Sequence, residues 1–340
     1  MMRANRLVIP RTRLRFRAHL LIAAALFAFA SISSSLTAAV IVDDTWLDAT
    51  DTDPASPVYS ENGIDVDLDG DLESAWLQGG VGTLDPIGAG GPLHGDMTAQ
   101  GTSSATWTTY FTPEGSEINL SNTGDTIRVT WVFTPRNINI TTAGGEPGSN
   151  TSQNFRFALV DTVVGDGSTR AEANGSLPSA VFTGYGVWAN MGTTLGNSNP
   201  FQLRERTSMT PDTLMNSTGD FNDVLGNGAS ADNDGYDGGT QYTMIWEATR
   251  NGGGLDLDVG ITGGTLDGDG EARVTVTDPS ANGGSFKFDT FGIRPSGATT
   301  TAEFFDTSLF RVEFIPIPEP ASGLLVGLAA TSLIVATRWR

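Results

Sequence analysis

The chain has 340 residues (35.7 kDa), 39 acidic against 19 basic side chains, a net charge of −20 and no cysteine. That composition excludes disulfides, thiolate nucleophiles, iron–sulfur clusters and cysteine-ligated zinc. Eight basic residues and one acidic residue lie in the terminal segments, so residues 40–317 keep 11 basic against 38 acidic. A body that acidic repels phosphate backbones and anionic lipid, which argues against nucleic acid as a partner.

Residues 1–39 carry six arginines (Arg3, Arg6, Arg11, Arg13, Arg15, Arg17), then an unbroken apolar run from Leu20 to Ala30, then Thr37-Ala38-Ala39. A charged start, a short apolar stretch and small residues before the cleavage point predict a secretory signal peptide cut after Ala39. Residues 40–100 are rich in Gly and Asp and read as a strand-poor, loop-rich lead-in.

Within that lead-in stands Asp65-Val66-Asp67-Leu68-Asp69-Gly70-Asp71-Leu72-Glu73. Carboxylates at alternate positions with Gly at the sixth let a tight loop wrap oxygens around one hard cation, and Ca²⁺ takes six to eight of them. An EF-hand is excluded, because its twelfth position is Trp76. Glu73 at the ninth position resembles the calcium loops of extracellular repeat proteins. The expected ligands are Asp65, Asp67, Asp69, Asp71 and Glu73, with Ca²⁺ as a structural cofactor; a solvated acidic turn is the alternative.

From residue 127 onward apolar residues recur at every second position: Ile127, Val129, Trp131, Phe133; Phe155, Phe157, Leu159; Met244, Trp246, Ala248; Leu255, Leu257, Val259, Ile261; Val274, Val276; Phe286, Phe288; Phe310, Val312, Phe314. Period two predicts half-buried antiparallel strands, and the Gly, Asn and Asp clusters between them supply hairpin turns. The expected fold is all-β, an antiparallel two-sheet jelly-roll sandwich over 40–317, with the strand Leu309–Phe314 returning beside the first. Segments such as Asp44-Thr-Trp-Leu-Asp, Phe288-Asp-Thr-Phe-Gly-Ile-Arg and Phe310-Arg-Val-Glu-Phe resemble exported bacterial proteins similar to concanavalin A-like lectins and glucanases. That resemblance implies glycan binding and places no residue.

Sugar rings stack on exposed aromatic faces flanked by planar polar groups. The candidate carbohydrate-binding cluster is Tyr185, Trp188 and Asn190 with Arg204 and Arg206, two cations able to take a carboxylate-bearing sugar; Trp107 and Tyr110 form a second cluster. No catalytic residue is assigned. His94 is the sole histidine of 40–317, no G-x-S-x-G elbow exists, and Lys287 is the sole lysine of the chain.

The chain ends in Pro318-Glu319-Pro320, the uncharged stretch Ala321–Thr337 and Arg338-Trp339-Arg340. Seventeen uncharged residues reach the lower limit of a membrane-spanning helix. Motif, helix and basic tail together resemble the PEP-CTERM sorting signal of Gram-negative bacteria that make exopolysaccharide. The resemblance implies a partner, the membrane transpeptidase exosortase, with transient inner-membrane insertion. Removal of the helix would then deliver the body to the outer surface or extracellular matrix. The expectation is a non-catalytic exported protein that binds or embeds in extracellular polysaccharide. A polysaccharide hydrolase or lyase and a purely structural matrix protein stay open as alternatives.

Overall fold

Alternating burial turns each of the period-two runs into a strand with one face in the core, as in Thr126–Ile138, where Ile127, Val129, Trp131 and Phe133 are fully buried. The computed structural model describes residues 37–98, 103–138, 153–163, 169–175, 179–195, 201–216, 219–228, 231–281 and 285–317. The expected signal peptide up to residue 36, the motif Pro318-Glu319-Pro320 and the expected membrane helix 321–337 lie outside the described residues. Among the described residues no helix is long and apolar enough to cross a membrane.

The strands in chain order are β1 (Ala39–Asp44), β2 (Trp76–Gly80), β3 (Thr83–Pro86), β4 (Leu93–Asp96), β5 (Ala105–Tyr110), β6 (Ile118–Asn119), β7 (Thr126–Ile138), β8 (Phe155–Val163), β9 (Val181–Ala189), β10 (Phe201–Glu205), β11 (Asp223–Asn227), β12 (Tyr242–Asn251), β13 (Gly254–Thr262), β14 (Glu271–Asp278), β15 (Lys287–Phe288), β16 (Thr290–Pro295) and β17 (Ala302–Ile315). An eight-stranded sheet runs β14-β13-β12-β7-β17-β4-β3 with β1 added on β17, and a seven-stranded sheet runs β11-β10-β9-β8-β16-β5-β2. All their pairings are antiparallel, so the body spanning Ala38–Pro316 is an all-β, two-sheet sandwich of the jelly-roll kind.

Strand β17 pairs with β7 along one edge, while β4 and β1 divide the other: Phe304–Thr307 faces β4 and Phe310–Phe314 faces β1. The last strand therefore lies beside the first, as its position predicts. The register slips between Thr307 and Leu309, which makes Ser308 a bulge residue where the two partners change over. Residues 40–100 carry β1 as a lead-in strand and, after a long loop, the short strands β2 to β4, and so contribute to both sheets.

Tryptophans of one sheet meet phenylalanines of the other across the core. Trp76 lies edge-on to Phe310 (5.0 Å), Trp107 to Phe305 (5.4 Å) and Phe157 to Trp246 (5.9 Å), all centroid distances. Such tilted and T-shaped contacts suit the ring quadrupoles and add to the area buried. The seven-stranded sheet also covers part of its outer face, where Ala158, Val160, Phe182 and Trp188 are buried beneath Leu214, Met215 and Phe221.

Candidate functional site

Strand parity decides what stands on that outer face. In β8, Phe155, Phe157 and Leu159 point into the sandwich, so Arg156 points out; in β16, Phe291 and Ile293 point in and Arg294 out; in β10, Phe201 and Leu203 point in and Arg204 out. The registers place Gln202 opposite Trp188, Trp188 opposite Arg156, and Arg156 opposite Arg294, a row across four strands. The Arg156 guanidinium carbon lies 5.3 Å from the Trp188 ring centroid and that of Arg204 5.6 Å. Gly186, opposite Arg204, leaves the space in which the Trp188 ring lies, since a Cβ there would collide with that ring.

Among the described residues the three arginines donate only to neutral oxygens: Arg156 to the carbonyls of Gln153 (3.3 Å) and Met215 (3.0 Å), Arg204 to that of Phe221 (3.2 Å), and Arg294 to Ser296 Oγ (3.1 Å) and Asn216 Oδ1 (3.4 Å). Among the described residues none of the three forms an ion pair. Burial, then repulsion from Arg294 and Arg204, pushes Arg156 down to about 10; burial also lowers Arg204 and Arg294, the latter against a nearby Asp212.

The predicted sugar-stacking cluster does not form as one surface. Tyr185 and Trp188 are three positions apart on β9 and so face opposite sides of the sheet. Tyr185 lies in the sandwich core with its hydroxyl donating to Asp278 Oδ2 (2.8 Å), and Asn190 is buried with Nδ2 on the Leu195 carbonyl (2.8 Å). Trp188 stands on the Arg204 side, yet its ring is buried between guanidiniums and Phe221 and presents no free face. Arg206 is buried too, over Phe182 and Phe221, 3.7 Å from Asp220. Trp107 and Tyr110 are buried as well. What sequence reasoning missed is Arg156 and Arg294, whose nearness to Arg204 depends on strand order.

The acidic stretch folds back on β1 and its following loop through bridges Asp43–Leu72 and Ser60–Ser74. Asp71 Oδ2 accepts from Thr45 N (2.8 Å) and Thr45 Oγ1 (2.9 Å), which ties the two segments together. The carboxylates then converge in three sets: Asp48, Asp69 and Glu73; Asp53, Asp67 and Glu73; Glu61, Asp65 and Asp67, each with oxygens within 4.8 Å of one another. Of the five predicted ligands, Asp65, Asp67, Asp69 and Glu73 join these sets and Asp71 anchors the loop. Asp48, Asp53 and Glu61 come from outside the pattern.

Glu73 is 3% exposed and receives no N–H or O–H on its side chain among the described residues; it meets the Asp48 carboxylate, another acceptor. Burial, then Asp48, Asp44 and Asp69, pushes its carboxyl up to about 9, and burial foremost raises Asp69 to about 6. Asp71 is 7% exposed, and among the described residues its Oδ1 has no hydrogen-bond partner, nor has the buried Asp69 Oδ2. Oxygens buried without donors at the meeting point of several carboxylates fit a hard cation such as Ca²⁺.

His94 Nδ1 lies 2.6 Å from Asp306 Oδ1, and Asp306 Oδ2 lies 2.5 Å from Arg136 Nη2. Beside them a cavity of about 260 Å³ is lined by Thr45, Leu47, Pro92, Thr134, Arg136 and Asp306 among others. Among the described residues no hydroxyl lies within hydrogen-bond reach of His94, whose ring stacks on Phe304 at 5.4 Å.

No family model matches the chain, and no curated protein matches it. Its likenesses are among solved structures. The sandwich is similar to lectin folds. The carbohydrate recognition domain of Emp47p is 11% identical at a TM-score of 0.40, covering 72% of this chain and 90% of that one. Arcelin-5, a lectin-like defense protein from Phaseolus vulgaris, is 14% identical at 0.36, covering 70% and 92%. A protein of unknown function from Shewanella oneidensis is 11% identical at 0.33, covering 72% and 81%.

Proposed function

We propose that this is a non-catalytic exported protein that binds acidic extracellular polysaccharide through the outer face of its seven-stranded sheet. The observation that carries the reading is the group of half-buried guanidiniums on one face, Arg156, Arg294 and Arg204, unpaired by any carboxylate of the described residues in a chain of net charge −20. Planar guanidiniums take carboxylates in paired hydrogen bonds. Asp212 offsets part of this local field at Arg294, and acidic groups more than about 8 Å away are screened at physiological ionic strength. In this reading Ca²⁺ is a structural ion of the 65–73 loop. The signal peptide and the Pro318-Glu319-Pro320 tail bring the body through exosortase to the outer surface of a Gram-negative bacterium.

The test is titration of the purified full-length protein with polygalacturonate and with uncharged dextran at fixed ionic strength. Polygalacturonate should bind, dextran should not, and the double variant Arg156→Gln/Arg294→Gln should weaken binding at least ~10-fold, about 1.4 kcal/mol. Equal binding of dextran, or no loss in the variant, overturns the reading. For the tail, mass spectrometry of protein from a host that carries the transpeptidase should find the 321–337 segment removed; an intact tail there counts against sorting.

A further inference from the structure

We propose that the acidic region holds two divalent cations, of the calcium class, that share Glu73 as a bridging ligand. One is held by Asp48, Asp69 and Glu73, the other by Asp53, Asp67 and Glu73. The inference rests on the calcium reading above and deepens it. The repeat-like pattern 65–73 offers one loop for one ion, whereas the folded chain adds Asp48 and Asp53 from the loop after β1.

Three observations lead there. Glu73 belongs to both oxygen sets, and its buried side chain receives no donor among the described residues. The remaining hydrogen bonds of the cluster are too few and too weakly charged to neutralise it. Asp48 takes the amide and hydroxyl of Thr50, Asp65 the amide of Leu68, Asp67 that of Asp69 and Asp69 that of Asp71, and among the described residues no Lys or Arg is paired with any of the five ligands. Five carboxylates against one divalent ion leave three negative charges in close contact; two ions leave one.

The third observation is the cost the loop bears. Ile64, Val66 and Leu68, which alternate with Asp65, Asp67 and Asp69, are 69%, 71% and 82% exposed. Asp65 and Asp69 are half-buried and Asp67 is exposed, whereas a chain left to the hydrophobic effect would bury some of the three apolar side chains in preference to carboxylates. Their exposure is tolerated once cations hold the carboxylates, because ion binding then supplies the free energy that apolar burial does not.

The test is calcium equilibrium dialysis and isothermal titration on the full-length protein after stripping with a chelator. Two molar equivalents are expected. Asp53→Asn and Asp48→Asn, both at exposed positions, should each fall to one equivalent, and Glu73→Gln should lose both. One equivalent in the unaltered protein overturns the shared centre while leaving a single-ion loop. No binding at all overturns the calcium reading itself and leaves a proton on Glu73 in the ion's place. Circular dichroism of each variant checks that lost binding is not lost folding, and the two exposed asparagine variants carry the decision if Glu73→Gln does not fold.

Discussion

Arg170 Nη2 and Asp289 Oδ2 meet at 2.6 Å with neither side chain exposed. The guanidinium also donates to the Thr112 carbonyl (2.6 Å) and lies over the rings of Tyr110 (4.8 Å) and Tyr59 (5.4 Å). The other carboxylate oxygen accepts from Thr162 N (2.8 Å) and Thr290 Oγ1 (2.6 Å). Removing one partner of such a pair strands a buried charge, which costs about 3–5 kcal/mol, whereas removing both costs far less. Arg170→Met should therefore lower stability by that amount in denaturant titration, and Arg170→Met/Asp289→Asn should recover at least half of it. A double variant as unstable as the single would show that packing, not charge, governs the site.

Asp161, 8% exposed at the end of β8, predicts a pH effect of definite sign. Burial first, then Asp289 and Glu117, raises its carboxyl to about 7, with Lys287 and Arg170 opposing. The unfolded chain titrates this group near ~4. Between those values the folded protein holds a proton that the unfolded chain releases, so the stabilisation is complete below ~4 and is lost as pH rises through about 7. Asp161→Asn should be more stable than the parent at pH 8, with the advantage shrinking toward pH 4, in urea unfolding at both values. An advantage that grows on acidification would reverse the sign and sink the argument.

Gly95 of β4 faces the core against Trp107 of β5, and a Cβ built there would collide with the indole Cη2. Gly95→Ala should destabilise by about 1–3 kcal/mol through overpacking. Gly253→Ala, where a Cβ meets nothing within 4 Å, should stay within about 0.5 kcal/mol. Comparable losses at both positions would point to backbone freedom, not ring contact, as the reason for glycine at 95.

The strands through Trp131, Trp246, Leu257 and Phe310 were legible because each is buried mainly on one face, so that period two is written directly into residue type; β8 was legible at its start, where Phe155 and Phe157 flank the half-buried Arg156. Strand β5 was not, since all six residues of Ala105–Tyr110 are buried and no alternation survives. Strands β2 to β4 are four or five residues long and carry Gly79, Gly80 and Gly95, which read as turns. The site divides in the same way. The acidic stretch 65–73 is visible as a run, but Asp48 and Asp53 reach it through the Asp43–Leu72 and Ser60–Ser74 bridges, a tertiary fact. Arg156 and Arg294 lie 138 positions apart in sequence and become neighbours only through the β8–β16 register. Tyr185 and Trp188 show the opposite error: close in sequence, they are separated by the sheet itself.

Trp131 Nε1 donates to Thr307 Oγ1 at 3.0 Å inside the sandwich, beside the bulge where β17 passes from β4 to β1. The five other described tryptophans bury an indole N–H without a hydrogen-bond partner, so this bond is a local feature and not a general need of buried indoles here. Its place suggests what it does: it fixes Thr307 against β7 at the residue before the register slips, and so selects one bulge position over its neighbours. Thr307→Val keeps the shape and removes the acceptor, which should cost about 1–3 kcal/mol for the stranded N–H. Thr307→Ser, which restores the hydroxyl without the methyl, should retain most of the bond. Amide hydrogen exchange over 304–314 adds a readout that simple destabilisation would not give. In the valine variant protection should fall first at Thr307 to Phe310, around the slip, while the β12–β13 hairpin stays protected. Uniform loss across both sheets would mean that the bond contributes stability without setting the register.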